Sequence, residues 1–337
     1  VSSAKNAGSE TAPMSDLPAR IDIQEEGPRE GFQIEPGPIA TDRKIALIDA
    51  LTETGLKKIQ VASFVNPKRV PGWADAGEVV AGFKRKPGVA HHVLWLNEKG
   101  LERALACQDI DMFGSISTTT SETFMGMNTN RGFAENVVVQ RNQIATYKQH
   151  GVPVTRASIM TAFGCNFEGD IAPARVVERL EELIGLAEDE AVDIKIISLA
   201  DTVGWATPRS VKQVVGAVRD RWPDKRICLH LHDTRGCGIA NVYAGLELGV
   251  DLYDASVAGL GGCPFAGHKG AAGNVCTEDM VFMCEEMGIE TGIDLEALIE
   301  AARLAEDIVG HDLPGKVMRG GALSALRREA KARARRA

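Results

Sequence analysis

Cys228-Leu229-His230-Leu231-His232-Asp233-Thr234 sets two imidazoles two residues apart in an otherwise apolar run. On an extended strand side chains two apart point the same way, so His230 and His232 share one face while Leu229 and Leu231 take the other. Two imidazoles on one face are half of a metal site. The same spacing also fits two polar core histidines held by backbone carbonyls. A hard divalent cation needs oxygen ligands besides, and Glu30 with the amide oxygen of Asn274 can supply them. Arg29, next to Glu30, can set a fixed positive charge where an oxyanion develops; its structural alternative is an ion pair with Asp201 or Glu35. Asp201 can serve as a general base or cap the following helix. Cys263 stands in Gly261-Gly262-Cys263-Pro264, a glycine hinge that can bring a thiol over a bound molecule to exchange a proton.

These residues need a scaffold that brings them to one rim. From Ile21 onward short apolar runs alternate with amphipathic segments. The strands are expected at Ile21–Glu25, Lys58–Ser63, Val89–Leu96, Ile110–Ser115, Val152–Met160, Asp193–Leu199, Ile227–His232 and Leu252–Val257. Helices are expected between them at Thr41–Thr54, Ala74–Phe83, Glu98–Cys107, Ala134–His150, Ala172–Asp189, Pro208–Arg221 and Ile239–Leu248, with Glu278–Met287 and Leu295–Val309 following. Thr41 and Thr207 read as N-caps, and Gly55, Gly151 and Gly249 as stops. Eight β-then-α units over this length predict an α/β (β/α)₈ TIM barrel with additional C-terminal helices. A doubly wound sheet is the alternative, but Gly27-Pro28-Arg29-Glu30-Gly31 is not the phosphate fingerprint its first turn carries. Barrel chemistry gathers at the C-terminal ends of strands. Glu30, Asp201, His230, His232 and Asn274 all fall there, which favours the metal reading of the histidine pair.

Residues 1–18 read as a disordered leader without the apolar core of a signal peptide, residues 19–310 as the barrel domain with its helical appendage, and 311–337 as a basic tail. The net charge of −8 argues against a nucleic-acid-binding body, although six of the last eleven residues are basic. No apolar run reaches membrane-spanning length. Seven cysteines, odd in number and without a C-x-x-C pair, fit a reducing, cytoplasmic setting.

The motifs together resemble the 3-hydroxy-3-methylglutaryl-CoA lyases of the DRE-TIM metallolyase superfamily, from Ile21 to about Gly310. They are Gly27-Pro28-Arg29-x-Gly31-x-Gln33, Ser63-Phe64-Val65-x-Pro67-Lys68, Gly164-Cys165 with Glu168-Gly169, Asp201-Thr202, His230-x-His232-Asp233-Thr234 and Ser256-Val257-Ala258-Gly259-Leu260-Gly261-Gly262-Cys263-Pro264. The resemblance implies Mg²⁺ or Mn²⁺ on Glu30, His230, His232 and Asn274, an acyl-CoA substrate and a homo-oligomer. It implies a retro-Claisen cleavage in which Arg29, Asp201, His230 and Cys263 are catalytic. Gln33, Gln60, Ser63, Thr202 and Lys68 are expected at the substrate, and Lys68, Arg69 or Lys269 can meet the CoA phosphates.

Three positions depart from the family pattern. Glu30 stands for the usual aspartate, Gln60 for a second-strand glutamate, and Gly267-His268-Lys269 lengthens the loop between Cys263 and Asn274. They keep open a citramalyl-CoA or methylmalyl-CoA type lyase on the same scaffold. A condensing synthase is disfavoured, because such enzymes resemble His-x-His-Asn and carry a regulatory domain. A non-catalytic CoA-binding scaffold is the third alternative, motivated by Gln60.

Overall fold

Eight parallel strands run through the chain at β1 (Asp22–Glu25), β2 (Lys58–Ser63), β3 (Ala90–Leu94), β4 (Gly114–Thr119), β5 (Val154–Met160), β6 (Ile196–Ala200), β7 (Arg226–His230) and β8 (Leu252–Ala255). They are seen in a computed structural model that describes residues 17–261 and 273–335. The ladders join them in the order β3-β2-β1-β8-β7-β6-β5-β4, a curled sheet with helices between successive strands. The seam between β3 and β4 is bridged by Asp111, whose N–H donates to the His91 carbonyl (2.7 Å) and whose carboxylate accepts from the His91 N–H (2.8 Å). That bridging segment explains why β4 begins at Gly114 rather than at Ile110. The architecture is the expected (β/α)₈ barrel with C-terminal helices.

Register decides which side chains meet at the rim. Ala200 pairs with His230, His230 with Asp254, and Ala255 with Glu25, so the ends of β6, β7, β8 and β1 lie level. Outside the sheet, helix Pro208–Arg221 buries Val211, Val214, Val215 and Val218, the i, i+3, i+4, i+7 stripe of an amphipathic helix. Thr207 caps it, accepting from the Ser210 N–H, as expected. Thr41 is instead the first helical residue after Ala40, and its hydroxyl donates to Asp75 (2.7 Å). Three α-helices lie where none was expected: Gly27–Ile34, Glu122–Thr129 and the short Val317–Gly320. The first is rich in turn residues but has Pro28 in its opening turn, where a missing N–H costs nothing.

The barrel interior is not uniformly apolar. Asp254 of β8 accepts from Gln24 of β1 (2.6 Å) and from Arg156 of β5, which also donates to Ser198 of β6 (2.7 Å). The Arg156 guanidinium holds Asp254 well below the usual carboxylate range although burial opposes it.

The packed body runs past position 310, because Leu313, Val317 and Met318 are buried. Helix Leu323–Ala334 lies on the surface, where Arg327 makes two bonds to Glu286 (2.8 and 2.7 Å) and Arg328 one to Glu296 (2.5 Å). Among the described residues no helix is long and apolar enough to cross a membrane.

Two buried acids anchor the turn after β8. Glu25 accepts from the Gly27 and Val257 N–H groups (2.7 and 2.9 Å) and from the Thr277 hydroxyl (2.6 Å). Glu278 accepts from the Ala258 N–H (2.9 Å), and its Oε1 has no hydrogen-bond partner. Burial pushes Glu25 up to about 7 and Glu278 up to about 8, with the hydrogen bonds offsetting only part. The folded chain therefore keeps protons that the unfolded chain releases near 4.5, so stability falls as pH rises from there toward 8. Glu278→Gln should flatten that slope. Between pH 5.5 and 8.5 the wild type is expected to lose on the order of a few kcal/mol, and the variant less, by urea denaturation. Equal losses in both proteins would show that Glu278 does not carry the effect.

Candidate metal and active site

β1 ends at Glu25, and after Glu26 the chain turns at once into helix Gly27–Ile34, which puts Arg29 and Glu30 in its first turn. A Cβ on Gly27 would come within 2.5 Å of Glu25 Oε1 and 3.1 Å of the Val257 N, so the tight turn requires glycine. The Arg29 carbonyl accepts from Trp73 Nε1 (2.8 Å), which fixes this turn from the β2 side.

β7 ends at His230, and His232 follows in a backbone bridge opposite Asn274. The Val275 N–H donates to the Leu231 carbonyl (3.0 Å) and the Asp233 N–H to the Gly273 carbonyl (2.7 Å), so the two segments are held side by side. Asn274 Nδ2 donates to Ser256 Oγ (2.9 Å) and to the Leu260 carbonyl (3.3 Å). That orientation leaves its Oδ1 buried and without a hydrogen-bond partner. Gly261, at φ +94, lets the backbone pass close by, since a Cβ there would meet Asn274 Nδ2 at 2.8 Å and Glu30 Cγ at 2.9 Å.

His232 Nε2 lies 3.7 Å from Glu30 Oε1, and His230 Nε2 lies 4.0 Å from Glu30 Oε2. The imidazole centroids are 5.3 Å apart. One donor atom from each of Glu30, His230 and His232 lies within 4.8 Å of the others. Both ring nitrogens of His232 are buried without a hydrogen bond, a costly arrangement unless a ligand completes it. Two imidazoles, a carboxylate and an orphaned amide oxygen are the donor set a hard divalent cation takes. The residues fit the ion.

Electrostatics points the same way. Burial opposes ionisation of Glu30, but the Arg29 guanidinium and the two imidazoles outweigh it and hold the carboxylate well below its ordinary range. His230 is pushed up to about 9: burial alone would lower it, and the carboxylates of Asp254 (Oδ2 at 3.4 Å from Nδ1), Glu30 and Glu26 reverse the sign. Cation and proton compete for these groups, so metal binding is coupled to proton release.

Asp201 lies just past β6. Its Oδ1 accepts from the Trp205 and Ala206 N–H groups (2.7 and 2.9 Å), while Oδ2 is buried and unpartnered. Burial pushes its carboxyl above the ordinary range. Asp201 therefore does not cap the following helix, whose N-cap is Thr207; it anchors the turn before that helix with one oxygen and keeps the other available as a base. Arg29 is paired with neither Asp201 nor Glu35, because its turn brings Glu26, Glu30 and Gln60 closer; Glu35 meets His311 (2.9 Å).

Of the expected substrate contacts, Gln33 Oε1 and Ser63 Oγ are buried without a partner. Gln60 accepts from Arg29 Nε, and Thr202 Oγ1 accepts from the Thr161 N–H (2.8 Å). Lys68 is exposed on the loop after β2. Cys263 and the Gly267-His268-Lys269 insert lie outside the described residues. Sequence reasoning missed Glu26, Arg156 and Asp254. The available signal was a charged residue inside an apolar barrel strand, as in Leu252-Tyr253-Asp254-Ala255.

The HMGL-like family model matches residues 20–305. Hydroxymethylglutaryl-CoA lyase YngG of Bacillus subtilis is 39% identical over 305 residues, covering 89% of this chain and 96% of its own. A crystal structure of the Bacillus subtilis HMG-CoA lyase superposes with a TM-score of 0.82 at 37% identity, covering 90% of this chain and 98% of that one. An HMG-CoA lyase from Acinetobacter baumannii, solved with coenzyme A and 3-methylmalate, gives 0.80 at 38% identity over 93% and 97% of the two chains. With residues 20–305 matched by the family model and relatives near 39% identical over most of its length, the chain belongs to the HMGL-like family.

Proposed function

We propose that the chain is a divalent-metal-dependent carbon-carbon lyase that cleaves 3-hydroxy-3-methylglutaryl-CoA to acetyl-CoA and acetoacetate, with Mg²⁺ or Mn²⁺ as the ion. The observation that carries this reading is the group of donors Glu30, His230, His232 and Asn274, all buried but His230, which is partly exposed, beside Arg29 and Asp201. The relatives named as such lyases support it.

Glu30, His230, His232 and the Asn274 amide oxygen would hold the ion. Once bound, a divalent cation polarises substrate oxygens and eases loss of the hydroxyl proton. Asp201 takes that proton on its unpartnered Oδ2. The C2–C3 bond then breaks, its electron pair stays with C2, and C3 becomes the ketone of acetoacetate. Arg29 donates to the thioester oxygen as charge develops there, a preorganised donor of the kind that contributes most to such steps. Cys263 returns a proton to C2. The unpartnered buried oxygens of Ser63 and Gln33 support a role for these two residues in receiving the polar end of the substrate.

The test is a thioester panel with the full chain, stripped of metal by chelator and then given Mg²⁺ or Mn²⁺. Acetyl-CoA release from 3-hydroxy-3-methylglutaryl-CoA, absent after stripping and restored by the ion, is the expected result. Faster release from citramalyl-CoA or methylmalyl-CoA would move the substrate assignment to the related lyases. No cleavage of any of the three would overturn the lyase reading.

A further inference from the structure

Arg29 is held on two sides by groups of different charge. Its Nε donates to Oε1 of Gln60 on β2, and its Nη2 donates to Oε2 of Glu26 at 2.5 Å. Oε2 of Glu30 is 3.0 Å from that same Nη2. Glu26 precedes Arg29 by three residues and Glu30 by four across the strand-to-helix turn, where the Glu30 N–H donates to the Glu26 carbonyl (2.9 Å). Those are the separations at which side chains on one turn meet. Only 7% of Glu26 is exposed; burial and the Asp254 carboxylate push its carboxyl up, and the Arg29 guanidinium and His230 draw it back toward ionisation.

One guanidinium thus faces two carboxylates, and only one of them belongs to the proposed ligand set. If Arg29 had Glu30 alone, cation and guanidinium would compete for the same carboxylate. Glu26 relieves that competition by holding the same Nη2 more closely, at 2.5 Å against 3.0 Å for Glu30. Gln60, on the opposite edge, fixes the guanidinium plane without adding charge. We infer that Glu26 is the positioning residue of this site: it clamps Arg29 through Nη2 and leaves Glu30 to the metal. The inference rests on the lyase reading of the site.

The geometry offers an exchange test, because a carboxylate at position 60 would face the same guanidinium from its other side. Glu26→Gln, Gln60→Glu and the double variant are compared with wild type as full chains, by steady-state kinetics and by Mn²⁺ titration without substrate. Glu26→Gln keeps size and an acceptor oxygen but not the charge. It is expected to lower kcat by about 10–100-fold, leave KM within about threefold, and weaken Mn²⁺ binding by roughly tenfold as Glu30 is drawn to Arg29. Gln60→Glu alone crowds Arg29 with a third acid and should also lose activity. The double variant should regain most of both kcat and Mn²⁺ affinity, which a residue needed only for folding would not allow. Wild-type behaviour of Glu26→Gln, or a double variant no better than that single one, would overturn the inference. If the wild-type chain cleaves no thioester, the lyase reading fails, and the Mn²⁺ titrations alone then decide whether Glu26 frees Glu30.

Discussion

His232→Ala is expected to lower kcat/KM by at least about a thousandfold and to abolish tight Mn²⁺ binding, while the thermal midpoint stays within a few degrees of wild type. The magnitude follows from the several kcal/mol of charge stabilisation a catalytic cation provides, at about 1.4 kcal/mol per tenfold in rate. The unchanged stability follows from the contacts. His232 is 4% exposed, neither ring nitrogen has a hydrogen-bond partner, and the bridge that holds it against Asn274 is main chain. Deleting an imidazole that satisfies no protein group removes an uncompensated burial cost along with its packing. A core histidine held by carbonyls would behave the opposite way, losing stability on truncation while the folded fraction kept its activity. Isothermal titration with Mn²⁺, a melting curve and steady-state kinetics on one preparation separate the two. Retention of Mn²⁺ affinity in the variant would remove His232 from the ligand set.

The parts of this site that were legible in the sequence are those that local pattern determines. Buried parallel strands are near-continuous apolar runs, so β2 was placed at Lys58–Ser63 without error, and strand alternation put His230 and His232 on one face. The residues that steer the chemistry were hidden for a different reason. Arg156 and Asp254 are 98 positions apart, and periodicity says which face a residue takes but not what lies across the barrel from it. Glu26 was hidden by proximity. It abuts the sequence motif, and a second acid after a strand reads as surface until the turn into helix Gly27–Ile34 is known. That helix was itself masked by two glycines and a proline, which in isolation signal a turn. Register, not composition, brings Gln24, Asp254 and His230 level across β1, β8 and β7.

Asp201→Asn is expected to lower kcat by about 10²–10⁴-fold, the range for a positioned proton-transfer group, with little change in KM, Mn²⁺ affinity or melting temperature. The substitution separates the side chain's two capacities because each oxygen has a different task. Oδ1 accepts from the Trp205 and Ala206 N–H groups, and an asparagine oxygen can accept from both in the same place. Oδ2 is buried with no hydrogen-bond partner, and in the variant an amide nitrogen, which cannot take a proton from a hydroxyl, stands there. A residue that only anchored the turn would therefore survive the change almost intact, and a base would not. Asp201 is 1% exposed, so bulk water cannot readily substitute for the lost oxygen. The contrast with His232→Ala is the sharper control: both variants lose turnover, but only the histidine variant loses the ion. A loss below tenfold in Asp201→Asn would reduce this residue to the anchor of its turn, and the base would have to be sought among the other groups of the rim.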